Sequence, residues 1–316
     1  MAFQTMCLIS GSANLPLSQE ISRRAKLRLA ETTLKRFSDG EIFVQIDENV
    51  RGSDAFVIQP TCPPVNDNLM ELLILIDTLK RASVASITAV VPYYGYSRQD
   101  RKVSPRTPIS AKLVADLLQA AGVSRMVSLD LHAGQIQGFF DVPFDNLYGI
   151  EVLADTIKEH VTGQLVVVSP DAGGVLRARA FAKRLHTGLA IIDKRRPKAN
   201  ESAVMHIIGE VTDCDCVIVD DMVDTAGTLV NCAKALVDAG AKRVMAAATH
   251  GVLSGPAIER LEASCLERLI VTDTIPLEPA LRERARVEVV TCAGLLAEAI
   301  KRIQTGDSVS GLFAEY

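Results

Sequence analysis

The stretch Val217–Thr228, Val-Ile-Val-Asp-Asp-Met-Val-Asp-Thr-Ala-Gly-Thr, constrains this chain more than any other. Three apolar β-formers run into two carboxylates, Asp220 and Asp221, and the loop that follows carries a third, Asp224. A helix is predicted behind it, with Leu229, Ala233, Leu236 and Val237 apolar and Gly240 as its stop. A strand that ends in charge and turns straight into a helix is the unit of an open α/β sheet, whose ligands bind beyond the strands' C-terminal ends. Thr225, Ala226, Gly227 and Thr228 are small or hydroxylated, so their backbone N–H groups can approach a phosphate at the helix start. A sugar phosphate satisfies both halves: phosphate at the helix end, and paired carboxylates that accept from vicinal hydroxyls or hold a metal. The structural alternative is a buried strand with Asp224 or Thr225 as the helix N-cap.

The same order of elements occurs earlier. Val57-Ile58-Gln59 reads as a strand, Pro60–Asp67 as a loop, Asn68–Arg81 as an amphipathic helix and Ile87–Val91 as the next strand. The chain of 316 residues is long enough for two domains. It therefore reads as two similar α/β halves related by duplication, 1–149 and 150–316, with the break near Tyr148–Glu151. Only the second half keeps the acidic, glycine-bearing loop; the first has Pro60-Thr61-Cys62-Pro63-Pro64 there. Other expected elements are a strand over 6–10, a helix over Leu17–Leu29, a tight turn at Phe37–Glu41 and a strand over Ile42–Ile46. In the second half, a strand over Leu189–Asp193 leads to a basic loop, Lys194–Lys198.

Composition excludes several function classes. Tryptophan is absent and the net charge is −4, so neither base-stacking surfaces nor an overall field for nucleic acid is expected. Seven cysteines, an odd number with no C-x-x-C, fit a reducing cytoplasm. The first residues lack the basic region of a signal peptide, and no apolar run reaches the roughly 18 residues of a membrane span.

Polar residues recur just past predicted strands: His132, Asp171, Lys194, Arg196 and Asp220. In a parallel sheet those positions share one edge. Taken singly, His132 could be a structural histidine, Asp171 a helix cap, and Lys194–Lys198 a solvated loop rather than one closing on an anion. Walker and Rossmann glycine motifs are both missing.

Val217–Thr228 closely resembles the sugar-phosphate loop of type I phosphoribosyltransferases. The whole chain resembles the phosphate-dependent class of ribose-phosphate diphosphokinases through Arg36–Glu41, Asn66–Leu73, Pro92–Lys102, Asp130–Ala133, Ser169–Gly174 and Asp193–Pro197. That resemblance implies two type I phosphoribosyltransferase-like domains, each a mainly parallel sheet flanked by helices. It implies transfer of the diphosphoryl group of Mg-ATP to ribose 5-phosphate, with magnesium as cofactor. Phe37, Asp39, Gly40, Glu41, Arg98 and Gln99 would contact ATP, and His132 and Asp171 would serve the metal. Asp220, Asp221 and Asp224 to Thr228 (Thr225, Ala226 and Gly227 between), with Arg196, would hold ribose 5-phosphate; Lys194 and Arg196 would be catalytic. Arg51, Arg101, Lys102, Ser308 and Ser310 would form a regulatory anion site for phosphate and ADP in a homohexamer. Ser97 departs from the alanine frequent in the family, and Asn49 from the usual serine. The rival readings are a phosphoribosyltransferase that consumes the activated sugar, and a non-catalytic subunit associated with the synthetase.

Overall fold

Strands in this chain are short runs of Val, Ile, Leu and Ala buried on both faces, as a parallel sheet covered by helices requires. The structure, a computed structural model, describes residues 6–195 and 204–312. It divides into two compact units, with the first break between Tyr148 and Gly149.

The first unit runs β1 (Met6–Ser10), α1 (Leu15–Ala25), β2 (Thr32–Arg36), β3 (Ile42–Ile46), β4 (Asp54–Ile58) and α2 (Val65–Arg81). It continues with β5 (Ser86–Val91), α3 (Ser110–Ala121), β6 (Arg125–Leu129), a 3-10 turn at Gly134–Phe139 and β7 (Phe144–Leu147). Its main sheet is parallel, in the order β1-β4-β5-β6-β7, while β2 and β3 form a separate antiparallel hairpin. Leu69, Leu72, Ile76 and Leu79 of α2 recur at helical spacing and all are buried in this unit's core. Helix α1 stops at Ala25, short of the expected Leu29, because Lys26 turns left-handed (φ 59°) and Leu29 bridges to Leu8 instead.

The second unit runs α4 (Ile150–His160), β8 (Leu165–Ser169), α5 (Val175–Leu185), β9 (Gly188–Arg195), β10 (Val204–Ile208), β11 (Asp215–Val223) and α6 (Gly227–Asp238). It ends with β12 (Arg243–Gly251), α7 (Ala257–Glu262), β13 (Arg268–Thr272), α8 (Pro279–Arg284) and β14 (Val287–Val290). The sheet order is β10-β9-β8-β11-β12-β13-β14, parallel except for β10 against β9. Both units thus show the α/β build and mainly parallel, helix-flanked sheets expected from the sequence.

One topology is used twice. A first strand, a hairpin and then four more strands in sheet order describe both β1–β7 and β8–β14. The sequence reading differs from the structure at the C-terminus, since 150–316 is not one continuous body. Thr274–Pro276 and the described residues from Cys292 to Leu312 belong to the first unit. The reason is the apolar stripe Leu296, Ala297 and Ile300 on the last helix, α9 (Ala293–Thr305), which packs with α1. In α6 the buried face is Leu229, Cys232, Ala233 and Leu236; the expected Val237 is exposed.

Candidate active site

Strand β11 is longer than its sequence suggests, and the acids lie within it rather than after it. It continues to Val223 because β12 accompanies it, with Asp220 opposite Ala248 and Val223 opposite Gly251. On its other side β8 pairs only as far as Val168 with Ile218. Beyond that point β11 has one strand neighbour, and its two carboxylates stand at the notch. Alternation alone would send Asp220 and Asp221 to opposite faces, yet both carboxylates meet beside one arginine. Asp221 is buried, while Asp220 is half-buried.

Arg177, three residues into α5 after the turn that follows β8, meets both. Its Nη1 is 3.4 Å from Asp220 Oδ1 and 3.5 Å from Asp221 Oδ1, and its side chain is 15% exposed. The Asp221 backbone N–H donates to Asp220 Oδ1 at 2.9 Å. Burial first, and then the neighbouring Asp221, push the Asp220 carboxyl well above the usual carboxylate range; Arg177 pulls the other way. Sequence reasoning missed Arg177. The available signal was a cation in the first turn of a helix, where the dipole disfavours it.

The loop to α6 is three residues, Asp224 to Ala226, with Gly227 opening the helix. Ala226 is left-handed (φ 58°), at a cost on the order of 1 kcal/mol for an alanine. No side chain caps α6, so neither Asp224 nor Thr225 takes the N-cap role of the structural alternative. Ser254 holds Asp224 instead: its hydroxyl donates to Oδ1, and its N–H donates to the Asp224 carbonyl at 3.1 Å. Arg260 donates to the Thr225 carbonyl at 2.9 Å. Its Nη1 lies 3.1 Å from where a Cβ on Gly227 would be, so the glycine keeps that space clear. The first N–H groups of α6, Gly227 and Thr228 among them, face the loop without a helical partner. Acceptors for hydroxyls and donors for an anion therefore lie within one short segment.

In the turn after β8, Asp171 is exposed and its Oδ1 accepts from the Gly174 N–H at 3.0 Å, so it does serve the start of α5. Lys194 lies in the backbone of β9, opposite Met205, and not in a loop, because β10 pairs back on β9 to Arg195. Its side chain, like all of Arg196, lies outside the described residues.

In the first unit, Phe37, Asp39, Gly40 and Glu41 form the tip of the β2–β3 hairpin. The Phe37 N–H donates to the Glu41 carbonyl at 2.8 Å, and the Glu41 N–H donates to Asp39 Oδ1 at 3.1 Å. Gly40 has φ 96°, which only glycine adopts without strain. Phe37 is 56% exposed, an apolar ring edge-on to Phe43 at 6.0 Å. Arg98 and Gln99 lie in the loop after β5, where the Ser110 hydroxyl donates to Gln99 Oε1. His132 is exposed, past the end of β6.

Arg51, Arg101, Lys102, Ser308 and Ser310 are all exposed residues of the first unit. Asn49 Oδ1 accepts from the Arg51 N–H at 3.1 Å, a turn that serine could also support. The tail at Ser308 is held by Arg302, whose Nη1 donates to the Ser308 carbonyl at 3.0 Å. Among the described residues, no three His, Cys, Asp or Glu side chains group to hold a metal ion. No described helix is long and apolar enough to cross a membrane.

Comparison with known proteins fits both halves. A family described as the N-terminal domain of ribose phosphate pyrophosphokinase matches residues 6–122, and one described as a phosphoribosyl synthetase-associated domain matches 194–314. The ribose-phosphate pyrophosphokinase of Campylobacter jejuni is 56% identical over 306 residues, covering 97% of this chain and 98% of that protein. That of Haemophilus ducreyi is 58% identical over 309 residues, with 97% and 98% covered. The crystal structure of phosphoribosylpyrophosphate synthetase from Mycobacterium smegmatis superimposes with a TM-score of 0.90 at 43% identity, covering 96% of this chain and all of that one. Identity above one half, sustained through both units, places the chain in the ribose-phosphate pyrophosphokinase family.

Proposed function

We propose that the chain transfers the diphosphoryl group of Mg-ATP to the 1-hydroxyl of ribose 5-phosphate, giving phosphoribosyl pyrophosphate and AMP. The observation that carries this reading is the acid pair of β11 set directly before the uncapped start of α6, in a chain whose relatives match it almost end to end.

The sugar's vicinal hydroxyls donate to Asp220 and Asp221, and its 5-phosphate accepts from the N–H groups of Thr225 to Thr228, with Asp224 steadied by Ser254. Arg196 reaches the same sugar. The hairpin tip of Phe37, Asp39, Gly40 and Glu41, with Arg98 and Gln99, takes the nucleotide. O1 of the sugar bonds to the β-phosphorus, the bond from that phosphorus to the AMP oxygen breaks, and the hydroxyl proton is released. Lys194 and Arg196 neutralise charge on the bridging oxygen and the transferred group, the main need of phosphoryl-type transfer.

Magnesium, when present with ATP, would supply neutralisation of the phosphate charge. It commonly needs only one or two protein carboxylates beside phosphates and waters, and the exposed Asp171 oxygens are such donors. The imidazole of His132 suits a magnesium-bound water or a phosphate oxygen better than the hard cation itself. We further assign the chain to the phosphate-dependent class, as a cytoplasmic homohexamer. Arg51, Arg101, Lys102, Ser308 and Ser310 would bind phosphate or ADP in competition.

The test is incubation with ATP, magnesium and ribose 5-phosphate, followed by identification of the nucleotide product. AMP is expected. ADP would make the protein an ordinary kinase, and no turnover would favour a non-catalytic subunit associated with the synthetase.

A further inference from the structure

We propose that Arg177 is a positioning residue that ties Asp220 to Asp221, so that both side chains are held to one place and aimed at one sugar. The inference rests on the assignment of the acid pair to ribose 5-phosphate.

Adjacent residues of a strand point to opposite faces, so two neighbouring acids do not of themselves form one acceptor pair. Here the early end of β8 leaves the β11 edge without a strand neighbour just past Ile218, and both carboxylates come together beside one cation. Arg177 meets them with a single nitrogen, Nη1, at 3.4 Å from one carboxylate and 3.5 Å from the other. Its location is otherwise unfavourable. The guanidinium is mostly buried, and it stands in the first turn of α5, where the helix dipole is positive. Two partly desolvated carboxylates offset both costs. Without their shared partner nothing holds the two carboxylates together, and one would turn away, leaving fewer acceptors for the sugar hydroxyls. Arg177 need not touch the substrate to act in this way.

The experiment measures binding of ribose 5-phosphate and of ATP separately, by calorimetry, for the wild type, Arg177→Met, Arg177→Gln and Arg177→Lys, with circular dichroism as a check on folding. We expect Met and Gln to weaken ribose 5-phosphate binding at least tenfold while ATP affinity changes less than twofold, and Lys to restore most of the loss. The Gln variant, which keeps length and polarity, decides the matter if the Met variant does not fold. Equal loss for both ligands, no loss for either, or no rescue by Lys overturns the positioning role. Wild-type protein that binds no ribose 5-phosphate overturns the site assignment itself, and this inference with it.

Discussion

The β1–β4 edge of the first unit and the β8–β11 edge of the second are the same place in the repeated topology, and they are filled in opposite ways. Ser10 pairs with Ile58 at the end of β1, and Val168 with Ile218 one residue before the end of β8. By that register Gln59 stands where Asp220 does, and Asp54 where Asp215 does. In the first unit the edge is closed from within. Glu71 of α2, almost fully buried, accepts from the Ser12 N–H at 2.6 Å, the Ser12 hydroxyl at 2.7 Å and the Gln59 amide at 2.9 Å. Gln59 in turn accepts from the Ala13 N–H at 3.1 Å. Gly11 leaves room for this plug, since a Cβ there would lie 2.2 Å from Gln59 Oε1 and push the amide aside. In the second unit the corresponding turn carries the exposed Asp171, and the charge inside is Arg177, set against Asp220 and Asp221. A duplicated fold keeps the same strand edge twice, and a few buried side chains decide whether the protein fills it from within.

The hairpins differ as well. That of the first unit, β2–β3, stands apart from its sheet and presents Phe37, whereas β9 joins β8 and carries Lys194 near its end.

The largest expected effect breaks or upholds the chemical side of this contrast. Lys194→Ala should lower turnover on the order of 10²–10³-fold with ribose 5-phosphate affinity nearly unchanged, as for loss of a group that acts in the transition state. Near-normal steady-state rates would remove Lys194 from the mechanism.

Next comes the plug. Glu71→Gln replaces an acceptor by a group that presents hydrogens to the Ser12 donors, and should cost about 1–3 kcal/mol of stability. Urea unfolding reads this directly. Ribose 5-phosphate affinity should be untouched, and a variant as stable as the wild type would mean that the carboxylate does not act as an internal anion.

The smallest effect sharpens the comparison at the opposite ends of the strands. Asp215 is fully buried; burial works to raise its pKa, but the N–H groups of Thr162 (2.8 Å) and Gly163 (3.0 Å), with Arg243 beyond, hold it below the ordinary value. A folded pKa below the unfolded one contributes stability that is complete above about pH 4 and fades as pH falls through the folded value. Asp215→Asn should therefore flatten the acid side of the stability curve and leave its pH dependence near neutrality alone. An unchanged acid limb in urea titrations would show that these bonds leave the carboxyl unshifted.

Much of the fold was legible because its signals are local. The apolar runs, the turn at Phe37–Glu41 and the small residues from Thr225 to Thr228 need only their neighbours to act, and all lie where the sequence placed them. The length of β11 was not legible, since it depends on β12 continuing beside it. Nor was the docking of α9 in the first unit, since an apolar stripe does not say which surface it will cover.

By itself, then, the sequence determined a duplicated α/β chain with an acid pair and a helix start of small residues in the second half. Only the tertiary structure decided that Arg177 would join the acids and that Glu71 would seal the first half. Both are contacts between residues far apart in the chain, made by buried charges whose partners are chosen by desolvation rather than by local propensity.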